Sequence, residues 1–254
     1  MAAFLAATAV AQTPESGFLN RSVRVDETEY RYQVYVPREY QPSRSWPIIL
    51  ALHGGGEYGS DGVTQTESGL GRAIRRHADR FPAIVVFPQS PPGTPGFQAR
   101  VERIALAALY RSMVDFHADT SRGYLTGLSM GGNGSWYLAY HHPDRFAALV
   151  VVCGFVGEFT GTTSHTFYPA IAPVSATDAY AAIAQQVSLL PIWIFHGDAD
   201  PTVPVEVSRH MASALKAIGA NVQYTELPGI GHNAGDPAYD RANLFTWLFK
   251  QKRP

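Results

Sequence analysis

The sequence YLTGLSMGGNG at residues 124–134 decides the fold. It starts as a short apolar run, which is typical of a buried strand, and continues as a helical pattern to residue 141. At their junction, Gly127, Ser129 and Gly131 match the G-x-S-x-G pattern of a sharp turn that exposes a serine hydroxyl. A Cβ at either flanking position would crowd that turn, which explains the glycines. The pattern alone is a weak signal, and an ordinary glycine-bounded turn is the alternative.

Strand-like and helix-like segments alternate on both sides of this turn. Strands are predicted at 23–30, 32–36, 48–52, 83–87, 124–128, 147–152, 192–195 and 222–227. Helices are predicted at 67–79, 101–117, 130–141, 178–187, 204–218 and 238–251. Alternation with continuous apolar strands predicts an α/β fold, in which helices cover both faces of a mostly parallel central sheet. The first two strands are expected to form an antiparallel edge.

Composition excludes several classes of protein. Of 254 residues, 46% are hydrophobic and 16% are charged, which permits a sizeable core. The net charge is −1 with both signs mixed along the chain, so neither a nucleic-acid partner nor an anionic membrane surface is expected. After the first residues, no apolar run approaches the roughly 20 residues of a membrane span. Cys153 is the only cysteine, which excludes an internal disulfide and argues against a zinc site; a buried, inert position is expected.

Residues 1–16 are interpreted as the remnant of a secretory signal or as a flexible tail. Ala9, Val10 and Ala11 fit an A-x-A cleavage site, although the positively charged start of a signal is missing. The pattern predicts export to the periplasm or the medium, with the cytoplasm as the alternative.

Residues 17–254 are predicted to form a single domain, since they contain no repeat, linker or low-complexity tract. The long connection without strong periodicity runs from Phe155 to Thr177, and residues 157–175 within it are a candidate lid or substrate loop, because such loops in compact domains are often functional.

A serine nucleophile needs a base that accepts its proton. Among nine histidines, His232 follows the last predicted strand and comes after both the serine and any plausible acid. This is the chain order Ser, Asp, His of α/β hydrolases. His53 and His196 each end a strand before a glycine and are interpreted as shaping turns.

The acid that orients the base is sought after the strand at 192–195. Asp198 and Asp200 both lie there. Asp200 is favoured because it stands at the apex of the loop, whereas Asp198 is closer to the strand and is interpreted as a turn cap. The role predicted for Asp200 is to fix the tautomer of His232 and to stabilise its imidazolium.

The developing oxyanion requires backbone N–H donors. The residue after the nucleophile, Met130, should supply one, and the glycine-rich loop after the strand at 48–52 should supply the other. Gly55 is the preferred donor in that loop and Gly56 the second choice. A glycine-rich strand exit without a catalytic role is the alternative.

Four segments together resemble a known group of proteins: LHGGGEYGSD at 52–61, TGLSMGGNGSW at 126–136, FHGDAD at 195–200 and PGIGHN at 228–233. They are similar to the bacterial esterases known as "predicted peptidases", relatives of feruloyl esterases, polyhydroxybutyrate depolymerases and the phospholipase/carboxylesterase group. The resemblance covers residues 30–252. It implies the α/β-hydrolase fold, a triad of Ser129, Asp200 and His232, and oxyanion donors at Gly55 and Met130.

The sequence departs from this group at two places. Many relatives carry a tryptophan just after the His-Asn pair, where Ala234 and Gly235 stand here. A second tryptophan, usual after the segment at 88–91, is also missing, and the nearest aromatic residue is Phe97. Both changes are expected to widen the site.

The predicted activity is hydrolysis of a small or polymeric carboxylic ester through an acyl-enzyme on Ser129, without metal or cofactor. Aromatic side chains in and near the candidate lid suggest an apolar or aryl substrate part, with plain core packing as the alternative. The predicted substrate contacts are Glu57, Phe97, Phe155, Phe167 and Tyr168, and Phe159 is a further lid aromatic. A peptidase with the same triad is one rival, although no propeller that would select peptides is visible in the sequence. A non-catalytic binding protein is the other rival.

Overall fold

A central eight-stranded sheet organises the structure, a computed structural model that describes residues 15–160, 166–173 and 175–253. The strands are β1 Gly17–Val25, β2 Thr28–Val36, β3 Trp46–Leu52, β4 Ile84–Pro88, β5 Ala118–Leu128, β6 Ala148–Val152, β9 Ile192–Gly197 and β10 Val222–Leu227. A separate antiparallel pair is formed by β7 Phe159–Thr160 and β8 Phe167–Tyr168.

The order of strands across the sheet is β1-β2-β4-β3-β5-β6-β9-β10. The pairs from β4 to β10 are all parallel, whereas β1 with β2 and β2 with β4 are antiparallel. The prediction of a mostly parallel sheet with an antiparallel N-terminal edge is therefore confirmed. The carboxyl ends of the parallel strands share one edge, which is where α/β sheets place their ligand sites.

The described residues contain seven α-helices. They are α1 Gly69–Arg76, α2 Arg100–Asp115, α3 Met130–His141, α4 Ala179–Gln186, α5 Val205–Ala217, α6 Gly235–Tyr239 and α7 Ala242–Leu248. Residues of α2, α3, α4 and α5 join the core on one face of the sheet. Residues of α1, α6 and α7 join the core on the other face. None of the helices in the described ranges has both the length and the apolarity that a membrane span requires.

Alternating side chains explain how one strand serves both cores. In β3, Ile48 and Leu50 pack on the first face, and Ile49 and Ala51 pack on the second. These residues are at most 4% exposed. A strand that is covered on both faces reads as a continuous apolar run rather than as an alternating one, as the sequence at 48–52 does.

Two predicted boundaries are wrong for identifiable reasons. The first hairpin turns at Asp26 and Glu27, several residues before the predicted break, because Asp26 adopts a φ of 53°, which aspartate tolerates in turns. The predicted helix 238–251 is interrupted between α6 and α7. There Arg76 pairs with the Asp240 carboxylate while Arg80 donates to the Asp240 carbonyl. These long-range contacts are not visible in local periodicity.

The predictions for the N-terminus fall almost wholly outside the described residues. Residues 15 and 16 are described, and β1 begins at Gly17, where the predicted domain begins.

Candidate active site

The turn between β5 and α3 carries Ser129 in a strained backbone conformation. Its φ is 56° and its ψ is −113°, a region that non-glycine residues rarely adopt. Such strain costs on the order of 1–3 kcal/mol and persists only where the surroundings impose it. Here the Ser129 N–H donates to the carbonyl of Val152 at 2.8 Å, and the Ser129 carbonyl accepts from the N–H of Asn133 at 2.9 Å.

The two glycines beside Ser129 are required by the close approach of backbone around the turn. A Cβ on Gly127 would lie 2.1 Å from the carbonyl oxygen of Gly131. A Cβ on Gly131 would lie 2.1 Å from the carbonyl oxygen of Leu52. Real Cβ atoms do not approach oxygen so closely, so neither position accommodates a side chain without movement of the backbone.

His232 contacts both Ser129 and Asp200. Its Nε2 lies 2.8 Å from Ser129 Oγ, and its Nδ1 lies 2.7 Å from Asp200 Oδ2. An ionised carboxylate only accepts, so Nδ1 carries the proton, and Nε2 of the neutral ring is left to accept the serine proton. The His232 side chain is 30% exposed, so the His232–Ser129 pair can be reached from solvent.

Asp200 is enclosed by hydrogen-bond donors, and its side chain is fully buried. Oδ1 accepts the backbone N–H of Thr202 at 2.8 Å and that of Val203 at 3.0 Å. Burial by itself raises the pKa of the carboxyl, but hydrogen bonds from His196, His232 and these two amides outweigh it, so the pKa is held far below its usual range. Asp200 therefore stays ionised wherever the fold persists.

Asp198 lies apart from this chain of hydrogen bonds. It is exposed, and its Oδ1 accepts the N–H of Gly229 at 2.6 Å. The structure thus brings Asp200 to His232 and leaves Asp198 to tie one loop to the next, as the turn-cap interpretation expects.

The glycine-rich loop at 53–56 follows β3 beside the turn that carries Ser129. Gly54 is buried, whereas Gly55 and Gly56 are exposed. Met130 is the first residue of α3, and the first N–H groups of a helix have no partner within the helix. These positions suit the predicted oxyanion donors, whose roles stay predictions.

His53 fixes the orientation of that loop, a role that its position before a glycine did not reveal. Its Nε2 accepts the N–H of Ser90 at 2.9 Å, so Nδ1 carries the proton and donates to the Gly54 carbonyl at 2.7 Å. Burial lowers the pKa of His53 to about 4, so the ring is neutral near pH 7. Because C=O and N–H point in opposite directions across a trans peptide, the Gly55 N–H points away from His53.

The predicted substrate contacts occupy different environments. Glu57 is half-buried, and its Oε2 would lie 3.2 Å from a Cβ on Gly54, so it borders the glycine-rich loop. Phe167 is 53% exposed. Phe97 is completely buried, with its ring centroid 5.0 Å from that of His53. This position assigns Phe97 to packing behind the loop, and its predicted contact with substrate is not supported.

Phe155 and Tyr168 are buried in an aromatic cluster with Phe159. The Phe155 ring lies 4.5 Å from Phe159 and 5.4 Å from Tyr168, centroid to centroid. The Tyr168 hydroxyl lies 3.3 Å from that of Tyr58 and would be 3.8 Å from a Cβ on Gly55. The cluster therefore borders the glycine-rich loop. This arrangement is compatible with both roles considered for these aromatic residues, packing in the core and forming an apolar wall of the site.

Two buried amides that the sequence analysis missed connect this aromatic segment to α3. Asn133 donates to the Phe155 carbonyl at 3.0 Å and accepts from Gln98 at 3.0 Å. Gln98 also donates to the Pro169 carbonyl at 3.2 Å. Their signal in the sequence was weak because polar residues in a glycine-rich context are usually exposed. Of the candidate lid, residues 161–165 and 174 lie outside the described residues.

Three side chains near the triad are close enough to hold a metal ion. Ligand atoms of Cys153, His196 and Asp200 lie within 4.8 Å of one another. Their chemistry does not fit a metal, because His196 Nε2 contacts the carbonyl of Val203 at 2.9 Å and must carry a proton there. Burial also raises the pKa of the Cys153 thiol to about 12, so the thiol is neutral near pH 7.

Comparison with known proteins identifies one matching family model, several related proteins and similar solved structures. The sequence model described as "Prolyl oligopeptidase family" matches residues 104–251, more than half of the chain. The chain is 26% identical over 211 residues, 75% of its length, to an "Uncharacterized secreted protein" of Arthroderma benhamiae. It is 39% identical over 64 residues, 25% of its length, to "Acyl-protein thioesterase 1" of Gibberella zeae. A solved structure of a thermostable esterase superposes over 93% of the chain with a TM-score of 0.74 and 29% identity.

The chain matches only part of each of these proteins. The aligned segments span 22% of the secreted protein and 26% of the thioesterase, and the superposed region spans 63% of the esterase.

Proposed function

Since the chain belongs to the prolyl oligopeptidase family and has the α/β-hydrolase fold, we propose that it is a serine hydrolase that cleaves carboxylic esters through an acyl-enzyme on Ser129. The observation that carries the proposal is the continuous chain of hydrogen bonds from Ser129 Oγ through His232 to Asp200, at 2.8 and 2.7 Å. A serine held in a strained turn beside a correctly protonated histidine is the arrangement that nucleophilic catalysis requires.

In the first half of the proposed reaction, His232 Nε2 accepts the Ser129 proton while Oγ attacks the ester carbonyl carbon. The carbonyl oxygen becomes an oxyanion, to which the Gly55 and Met130 N–H groups donate. As the tetrahedral intermediate collapses, His232 returns the proton to the departing alcohol and the acyl group stays on Ser129. A water molecule, deprotonated by the same histidine, then releases the acid.

Asp200 supports both halves of this reaction. It accepts the Nδ1 proton of His232 and so keeps Nε2 available as the base, and its negative charge stabilises the imidazolium that forms. The hydrogen bonds from the Thr202 and Val203 amides and from His232 help to keep Asp200 ionised and in place.

The family name raises the alternative of a peptidase, and the same triad could attack an amide. The similarity to a thermostable esterase and to a thioesterase favours ester bonds.

We also propose a single domain over residues 17–254 and export of the chain. The export is supported by the Ala9–Ala11 pattern and by the similarity to a protein named as secreted. A small or polymeric ester remains the proposed substrate class.

Ester and amide substrates that share an acyl group separate the two activities. We expect p-nitrophenyl acetate and butyrate to be hydrolysed much faster than the matching p-nitroanilides, because the amine is a poorer leaving group than p-nitrophenolate and needs a proton in order to depart. The measurement is kcat/KM for each matched pair. Anilide hydrolysis at or above the ester rate would establish the peptidase alternative.

The activity should depend on pH through His232. Only the neutral ring accepts the Ser129 proton, so kcat/KM should rise with pH as the imidazolium loses its proton. Asp200 contributes no second step, because its pKa is held far below the usual range of a carboxyl group. The acidic limb should therefore approach a slope of one in logarithmic units.

Unfolding at low pH must be separated from this effect. The folded-state pKa of His53 is depressed to about 4, so its contribution to stability is fully present above the unfolded-state pKa of about 6.5 and is lost as the pH falls through 4. Circular dichroism at each pH controls for this loss. A flat profile of kcat/KM between pH 5 and 8 in folded protein would contradict the Ser–His mechanism.

A further inference from the structure

His196 is a fully buried histidine that the mechanism above leaves without a role. It lies near the end of β9, and neither its side chain nor that of Asp200 is exposed at all. Its place before Gly197 suggested that it shapes a turn. Its contacts connect Asp200 to α5.

The hydrogen bonds of His196 define where its protons lie. Nε2 is 2.9 Å from the carbonyl oxygen of Val203 and 3.3 Å from Asp200 Oδ2. A carbonyl oxygen only accepts, so Nε2 carries the proton and presents it to both oxygens. Nδ1 is 2.6 Å from the hydroxyl of Ser208, a buried residue of α5. In the neutral ring, Nδ1 accepts and the Ser208 hydroxyl donates.

We propose that His196, held by Ser208, is a positioning residue for the reaction: it fixes Asp200 Oδ2 opposite His232 and shares the charge of that oxygen. The proposal rests on the proposed function, in which Asp200 is the acid of the triad. His196 does not contact the reacting atoms and acts through Asp200 alone.

The donors around Asp200 show why this contact matters. An ionised carboxylate offers about four acceptor positions. Two are used at Oδ1 by the N–H groups of Thr202 and Val203, and the remaining two are used at Oδ2 by His232 and His196. Without His196, His232 would be the remaining side-chain donor to Oδ2. The carboxylate could then move together with His232 instead of fixing its position.

Sharing of charge gives the contact a measurable consequence. A second N–H donor lowers the negative charge that Oδ2 directs at His232, so its removal should favour the imidazolium. The Cys153 thiol also faces Asp200, and burial raises its pKa to about 12, so it adds no charge. Asp198 is turned to the N–H of Gly229. Loss of the His196 donor should therefore move the acidic limb of kcat/KM to higher pH.

Two substitutions of similar polarity separate positioning from mere packing. In His196→Gln, the longer amide can place an N–H where Nε2 stands, which preserves the donor to Val203 and Asp200. In His196→Asn, the shorter amide reaches only the position of Nδ1 and can bond to Ser208 alone. If the role of His196 is purely structural, kcat should fall to a similar extent in both variants, because both remove the imidazole ring.

We expect His196→Asn to lower kcat by about 10-fold to 100-fold, the value of one hydrogen bond to a charged group, while KM stays close to that of the wild type. The acidic limb should move upward by about half a pH unit or more. His196→Gln should recover most of the rate and keep the limb in place. Equal losses in the two variants without a shift of the limb, or wild-type kcat in His196→Asn, would overturn the proposal.

A second variant covers failure of His196→Asn to fold. Ser208→Ala keeps the ring and removes the group that holds it, so a smaller loss of kcat with the same upward shift of the limb is expected. An unchanged limb in folded Ser208→Ala would then overturn the proposal. Asp200→Asn separates this inference from the proposed function: activity retained there refutes both, whereas activity lost there but kept in His196→Asn refutes the positioning role alone.

Discussion

Ser129→Ala should abolish ester hydrolysis, with a loss in kcat on the order of 10⁴–10⁶-fold. The serine oxygen is the atom that forms the covalent bond to the acyl group, and alanine offers no replacement. The fold should survive, because the partly exposed hydroxyl has His232 Nε2 as its hydrogen-bond partner among the described residues, and that ring is itself partly exposed to solvent. The strained backbone at position 129 is held by its own hydrogen bonds to Val152 and Asn133, which the substitution leaves intact.

Helix α3, which follows Ser129, supplies a matched control for this substitution. Ser135 is buried in α3, and its hydroxyl has no hydrogen-bond partner among the described residues. Ser135→Ala should therefore keep both activity and thermal stability close to those of the wild type. If Ser129→Ala kept more than a tenth of the wild-type rate while its melting temperature was unchanged, another residue would have to be the nucleophile.

Asp200→Asn should lower kcat by about 10³–10⁴-fold, with the protein still folded. The N–H groups of Thr202 and Val203 fix an oxygen at the Oδ1 position, so the new NH₂ group must take the place of Oδ2 and face His232. His232 Nδ1 then has to accept, which moves the ring proton to Nε2. A protonated Nε2 cannot take the proton of Ser129.

Asp198→Asn is the control for this second prediction, since it makes the same chemical change two residues away. The asparagine retains an oxygen that can accept from the N–H of Gly229, so we expect a rate within a few-fold of the wild type. Rates at saturating substrate for the two variants decide the assignment. A large loss in Asp198→Asn with little loss in Asp200→Asn would identify Asp198 as the acid.

Much of the fold follows from local sequence, because continuous apolar runs such as 48–52 and 148–152 have few ways to be buried other than as strands of a covered parallel sheet. The chain order of Ser129, Asp200 and His232 was equally informative, since each follows a strand and the carboxyl ends of parallel strands meet at one edge. The choice of Asp200 over Asp198 also rested on a local feature, its place at the apex of the loop.

The contacts that position the site could not be predicted in the same way. His53 and His196 are both followed by glycine at a strand end, yet one orients the Gly54 peptide and the other binds Asp200. Their partners, Ser90 for His53 and Ser208 for His196, are set by tertiary packing. Phe97 was predicted to contact the substrate as the aromatic residue nearest to the segment at 88–91, whereas it is fully buried against His53.

Active-site labelling tests the central claim, that Ser129 is the nucleophile, most directly. The active wild-type protein is treated with a fluorophosphonate probe, digested, and the modified peptide is located by mass spectrometry. We predict a single adduct on Ser129, formed at a rate that follows the pH dependence of kcat/KM, and no adduct in Ser129→Ala. An adduct on a different residue, or full activity in protein that the probe does not modify, would contradict the assignment of Ser129 as the nucleophile.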